Sequence, residues 1–236
     1  SEALGLSTAA ALLPDHEEAE KWAALGRSQF TRGLLRQTNK EGAYSQHSAN
    51  YQRLMLQLAL WAQVINRRLE APLPARVTQR AAAATAWLLN LVDADSGRTA
   101  NLGPNDGAYI LPLSVQSFTD YRPVLQAASR AFSGGSAFGD GLWDELALWF
   151  GLADENRLAP GPRQSPIRLQ GAHTWAYLRA AHFASRPGHA DQLHLDLWWR
   201  GHNLARDAGT YRYNALPPWD NALAGTAEHN TVTLNR

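Results

Sequence analysis

The sequence has no cysteine among its 236 residues. That excludes a disulfide framework and any thiolate metal site, and it leaves the redox compartment open. A charge excess is also missing: 22 Lys and Arg stand interspersed against 21 Asp and Glu, for a formal net charge of +1. Without a basic stripe to neutralise a run of phosphates, the composition argues against nucleic acid as a partner. No apolar run approaches the roughly 20 residues needed to span a bilayer, and the start shows no basic, apolar, small-residue pattern of a secretory signal. Low complexity is confined to "RAAAATA", a good helix former, and there is no exact internal repeat. What is present is material for a core. Hydrophobic residues make up 45 % of the chain and include nine Trp, enough for one large or two ordinary domains. The chain opens on Ser1 and stops in "EHNTVTLNR", which reads as the middle of a strand and is expected of a piece of a longer protein.

The hydrophobic period changes along the chain. In "HEEAEKWAALGRSQFTRGLLRQ", Trp22, Leu25, Phe30 and Leu34 lie near helical spacing, with Asp15 and Glu18 at capping-box spacing before them. A turn at 40–43 leads to Tyr51, Leu54, Leu58, Trp61, Ile65 and Leu69, then to Leu73, Val77, Ala81, Ala84, Leu88 and Leu91, both in steps of three and four. Further helices are expected over 121–132, ended by Gly134 and Gly135, and over 142–150, ended by Gly151. Beyond the Pro-rich connector at 158–166 the pattern alternates. In "QLHLDLWWR", Leu193, Leu195, Leu197 and Trp199 point one way and His194, Asp196 and Trp198 the other, as in a half-buried strand; "TVTLN" reads similarly. The expected fold is α+β and multidomain, with helical hairpins over 1–160 and an antiparallel β domain over 161–236. Successive helix pairs suit an α/α toroid or solenoid.

Three groups of residues could carry chemistry. In "EGAYSQHSANYQRL", a helix starting near Ser48 places Tyr51 in its first turn, beside the loop holding Gln46 and His47. A phenol with its usual pKa of about 10 serves as a base near neutrality only where neighbours favour the phenolate, a role open to His47. The alternative is a packed tyrosine and a capping or surface histidine. In "NLGPNDGAY", Asn101, Asn105 and Asp106 form a rigid polar turn whose amides suit sugar hydroxyls and carboxylates, or else an ordinary Asx turn. His189, Asp207 and His229 offer two imidazoles and a carboxylate suited to zinc, with Asp191 and His194 as competing ligands.

The order of "EGAYSQHSANYQRL", "NLGPNDGAY", "HADQLHLDLWWRGHNLARDAGTYRYN" and "AEHNTVTLN" resembles the heparinase II/III superfamily of polysaccharide lyases, over nearly the whole chain. The resemblance implies an α/α toroid followed by an antiparallel β-sandwich. It implies cleavage of a uronic-acid-containing polysaccharide by β-elimination. It matches Tyr51 to the family's catalytic tyrosine, general acid and also candidate base, with Gln46 and His47 shaping its surroundings and Asn101, Asn105 and Asp106 binding sugar. His189, Asp207 and His229 match positions that hold one structural zinc in several members, and no organic cofactor is implied. The implied partner is an acidic polysaccharide, and the implied location is periplasmic or secreted. One departure stands out: Pro187 occupies the first His of the family's "HxHAD" pattern, which argues against a histidine base from the β domain. The family's Asn-His pair, whose Asn binds the uronate carboxylate, precedes a segment like "SEALGL", which here starts at residue 1, so the resemblance implies that the pair lies just outside this sequence. Two other classes are open: a glycoside hydrolase, which would draw paired carboxyls from Asp106, Asp144 and Glu145, and a non-catalytic carbohydrate-binding or polysaccharide-assembly protein on the same scaffold.

Overall fold

The computed structural model describes residues 1–152, 167–183 and 188–233. Helices come first: α1 Glu2–Leu12, α2 Ala19–Gln37, α3 Ala49–Arg68, α4 Ala75–Leu89, α5 Arg122–Ala128 and α6 Glu145–Trp149. Four strands follow: β1 Ile167–Gln170, β2 Thr174–Leu178, β3 Leu195–Trp199 and β4 His202–Ala205. They form one antiparallel sheet in the order β1-β2-β3-β4. The expected boundary near residue 160 lies outside the described residues. Among those residues, no helix is long and apolar enough to cross a membrane.

The helices close around α3, which buries Leu56, Ala59 and Leu60 against Val77, Ala81, Ala84 and Leu88 of α4 and Val124 and Leu125 of α5. Polar side chains are enclosed with them, among them Gln52, Arg53 and Gln57. Arg53 is fully buried, donates to Asn50 Oδ1 at 2.7 Å and to the Phe118 carbonyl, and lies over the rings of Phe118 and Tyr121 at 4.2 and 4.1 Å. These contacts replace the water that a buried guanidinium would otherwise lack.

Several local expectations change. The helix α1 had no sequence expectation. The Asp15–Glu18 capping box does not form: α2 begins only at Ala19, after Glu18 N donates to His16 Nδ1 and His16 stacks on Trp22 at 4.4 Å, so the chain caps itself with a turn instead. The helix expected over 121–132 stays α-helical only to Ala128, then widens to a π turn over Ser129–Ser133 before Gly134 ends it. Thr231 and the two residues after it form no strand: Thr231 N turns back to His229 O and its hydroxyl holds Gln192 O at 2.6 Å. The rest of "TVTLN" lies outside the described residues.

In β3 the alternation holds, and the buried set is His194, Asp196 and Trp198, whereas Leu193, Leu195 and Trp199 are exposed. The inner face of the sheet is thus polar and aromatic. Trp175 of β2 stacks on Trp198 at 5.0 Å and donates to Asp93 Oδ2 at 3.0 Å, while Arg168 of β1 lies over Trp175 and donates to the carbonyls of Asn90 and Val92. Asp93 and those carbonyls follow α4, so this cluster fastens the sheet to the helices.

Candidate functional site

The first turn of α3 is tied to the loop over 101–108. Ser48 caps the helix by accepting from Tyr51 N at 3.1 Å and donates its own proton to Pro104 O at 2.5 Å. Ala49 N donates to Leu102 O at 3.0 Å, and Asn50 Nδ2 to Ala108 O at 3.2 Å. Gly103, at φ +67°, passes so close to His47 O that a Cβ there would collide with it. Polar residues crowd this helix start because it is a junction between two chain segments.

Tyr51 projects from that junction, half-buried, and its hydroxyl donates to Asp106 Oδ2 at 2.6 Å. Burial, the Asp106 carboxylate and the neighbouring Tyr213 phenol all hold the Tyr51 pKa above the usual tyrosine value. This corrects the expectation that neighbours could favour the phenolate. A phenolate beside Asp106 would face a second negative charge, so Tyr51 rests protonated.

His47 takes no part in that bond. Its backbone is left-handed at φ 54°, its carbonyl accepts from Arg179 Nη2 at 3.0 Å, and its ring meets Phe183 edge-on at 4.7 Å. Burial and Arg179 hold its pKa below the ordinary histidine value. A neutral imidazole cannot supply the positive charge that would lower the phenol's pKa. Gln46 is exposed, and no hydrogen bond joins it to Tyr51 among the described residues.

The turn over 101–107 faces two ways. Asp106 serves Tyr51, and its Oδ1 accepts from Ala108 N at 3.0 Å; Asn105 Oδ1 accepts from Gly107 N at 3.1 Å, so both residues do form Asx turns. The Asn105 amide donates to Asn101 Oδ1 at 2.9 Å, and Asn105 N reaches Thr210 Oγ1 at 3.2 Å. Thr210 Oγ1 lies 3.2 Å from His189 Nε2, which carries the link from the helical loop into the β region.

There the ligand atoms of His189, Asp191, Asp207 and His229, all buried, lie within 4.8 Å of one another. His229 Nδ1 bonds to Gly225 O at 2.8 Å, so it carries the proton and leaves a lone pair on Nε2, 3.4 Å from Asp207 Oδ2. A lone pair facing a buried carboxylate oxygen needs a cation or a proton between them. His189 Nδ1, 4.0 Å from Asp207 Oδ1, likewise has no hydrogen-bond partner among the described residues. Burial pushes the His189 pKa down and the Asp207 pKa up, as for groups that would rather be neutral. The donor set therefore fits a divalent metal of the zinc type, and each histidine has an outer partner to fix its ring.

Of the competing ligands, Asp191 joins the cluster, while Arg179 Nε approaches its Oδ1 at 2.9 Å as an ion pair. His194 does not join: its Nδ1 accepts from Asn230 N at 3.1 Å and its Nε2 faces Asp196 Oδ2 at 3.6 Å.

The carboxyls considered for hydrolysis are engaged elsewhere. Asp144 is held by Arg130, Gln126 and Gly141 N, and Glu145 accepts from Val115 N at 2.6 Å. Sequence reasoning missed Arg179, Thr210 and Tyr213. The last two lie in "DAGTYRYN", which was already singled out for Asp207.

Residues 158–236, about a third of the chain, match the family model described as heparinase II/III-like, C-terminal. Among solved structures, a heparinase III gene product matches with TM-score 0.69 and 21% identity, over 99% of this chain and 36% of that one. The heparan sulfate lyase HepC from Pedobacter heparinus matches with TM-score 0.67 and 18% identity, over 99% and 36%. A further heparinase III matches with TM-score 0.64 and 20% identity, over 97% and 37%. The chain spans little more than a third of each of these structures, and the likeness is one of fold. No curated protein matches the sequence.

Proposed function

We propose that this chain belongs to a polysaccharide lyase that cleaves a uronic-acid-containing polysaccharide by β-elimination. The observation that carries the reading is the Tyr51 hydroxyl, held protonated on Asp106 at the mouth of α3. β-Elimination removes the proton next to the uronate carboxylate and expels the 4-linked oxygen, so it needs the carboxylate neutralised, a base, and an acid for the leaving oxygen. Tyr51 is suited to the last role. Its raised pKa keeps the proton in place until an alkoxide develops, and Asp106 fixes its direction. The same shift argues against Tyr51 as the resting base. Asn101, Asn105 and Asp106 would bind sugar, and His47 and Gln46 would shape the surrounding loop.

The helices are read as part of an α/α toroid over 1–160 and the sheet as the start of a β-sandwich over 161–236, in line with the matched C-terminal family and the neighbouring folds. His189, Asp207 and His229, with Asp191 beside them, would hold a zinc ion whose role is to cross-link loops of the β region. Through Thr210 that cross-link would also steady Asn105. A periplasmic or secreted location and an acidic polysaccharide partner follow from the same family reading.

A second reading, a non-catalytic carbohydrate-binding or assembly protein on this scaffold, is favoured by Pro187 at the family's His position. Incubation with a panel of uronate polysaccharides separates these readings. Ultraviolet absorbance from an unsaturated uronate product supports the lyase. New reducing ends without that absorbance indicate a hydrolase, and binding with neither indicates the assembly protein.

A further inference from the structure

Between the helices and the sheet lies an open cleft of about 440 Å³, walled by Arg98, Asn101, Asn105 and Phe118 from the helical part and by Arg206 from the segment after β4, with Trp198 beneath. Arg98 and Arg206 are both exposed, and the side chain of neither makes an ion pair or hydrogen bond among the described residues. Arg122 and Arg179, by contrast, are each paired with an aspartate. The acid on the cleft wall, Asp207, is buried, and its Oδ1 accepts from Gly209 N at 2.7 Å while Oδ2 faces His229. Both of its oxygens are therefore engaged within the β region.

Polar groups of the right kind share the cleft wall with the two arginines. Asn101 uses its Oδ1 to accept from Asn105, and its Nδ2 lies over Gly209, at φ +73°, where a Cβ would collide with it. Gly209 thus leaves room for an amide donor at the cleft wall. Phe118, 37% exposed, lies on the same wall, with Arg53 over its ring on the inner side. A pair of free guanidiniums, amides and one aromatic surface is the chemistry that binds an anionic sugar ring. The guanidinium fork matches a carboxylate or a sulfate, the amides take hydroxyls, and the ring covers an apolar sugar face.

We infer that this cleft is an anionic-sugar subsite in which Arg98 and Arg206 recognise a carboxylate or sulfate group on a ring other than the one being cleaved. The inference rests on the proposed polysaccharide substrate but not on turnover. The turn over 101–107 connects the two places, since Asp106 holds Tyr51 while Asn101 and Asn105 wall the cleft. A chain lying along that turn would present one residue to Tyr51 and another to the arginines. Arg98 and Arg206 would then set preference among acidic polymers without touching the reacting atoms.

The test is direct binding to the Tyr51→Phe protein, which suppresses turnover during titration. Three ligands are compared: a uronate oligosaccharide, the same oligosaccharide with its carboxyls reduced to alcohols, and an O-sulfated form. Adding Arg98→Ala and Arg206→Ala should weaken binding of the anionic ligands by roughly tenfold or more, as expected for lost hydrogen bonds to a charged group. The neutral ligand should be unaffected, and the paired Lys variants should fall between. Loss restricted to the uronate identifies a carboxylate subsite, and loss restricted to the sulfated form identifies a sulfate subsite. Unchanged affinity, equal loss for the neutral ligand, or no binding of any anionic ligand by a folded protein would overturn the inference. A missing unsaturated product in the turnover assay would count against the lyase reading alone and leave this result standing.

Discussion

Arg179→Met tests how the β region is held against the helical junction. Arg179 and Asp191 are 3% and 1% exposed, and the guanidinium both approaches Asp191 at 2.9 Å and donates to His47 O at 3.0 Å. Met keeps most of the volume but leaves the aspartate buried without its cation. Breaking one side of a buried pair costs about 3–5 kcal/mol, and the lost bond to His47 O adds about 1 kcal/mol. The expected loss, about 4–6 kcal/mol, is a large share of the roughly 5–15 kcal/mol that stabilises an ordinary domain. Urea unfolding in the presence of a chelator measures it, because a metal bound beside Asp191 would mask part of the penalty. The Arg179→Met, Asp191→Leu double variant should recover much of the loss, since removing both charges also removes the cost of burying them. A single-variant loss below about 1 kcal/mol, or a double variant no more stable than the single, would refute the reasoning.

Two further predictions concern the metal cluster and pH. Zinc should raise the melting temperature of metal-free protein, and His229→Ala should abolish that rise; equal stabilisation of both proteins would place the ion elsewhere. For His47, burial lowers the folded pKa below its unfolded value. Below about pH 6.5 the unfolded state therefore binds the proton more readily, and stability falls as pH drops toward the folded pKa. His47→Gln should flatten the stability profile in that window, as read by chemical unfolding at several pH values; an unchanged slope would remove His47 as a source of acid sensitivity.

Local features were the legible ones. Ser48 as a cap and the apolar stripes of α3 and α4 are written within single turns of sequence, so periodicity finds them. The helix α1 escaped because its small, evenly apolar residues carry no polar face to mark a period. The buried face of β3 was not readable from alternation, because Asp196 accepts from Trp198 and Asn203 and His194 Nδ1 accepts from Asn230, partners that only the folded chain supplies. His189, Asp207 and His229 were candidates by residue type and by family resemblance, not by spacing, since ligands so far apart in sequence have no diagnostic interval. Arg179 was missed for a related reason: a single arginine after a strand shows nothing of the aspartate and carbonyl it will meet. The state of Tyr51 also depended on the fold, because Asp106 lies more than fifty residues away in sequence.

The central claim is that Tyr51 donates the proton to the leaving oxygen. Its most direct test is the rate of unsaturated product formation on a uronate polysaccharide that the parent protein cleaves, compared with Tyr51→Phe. Phe keeps the ring and its packing and removes only the hydroxyl bonded to Asp106. The account predicts a rate lower by about 10²- to 10⁴-fold, the range of a general-acid contribution, with the substrate still bound. A variant that forms product at the parental rate would contradict it.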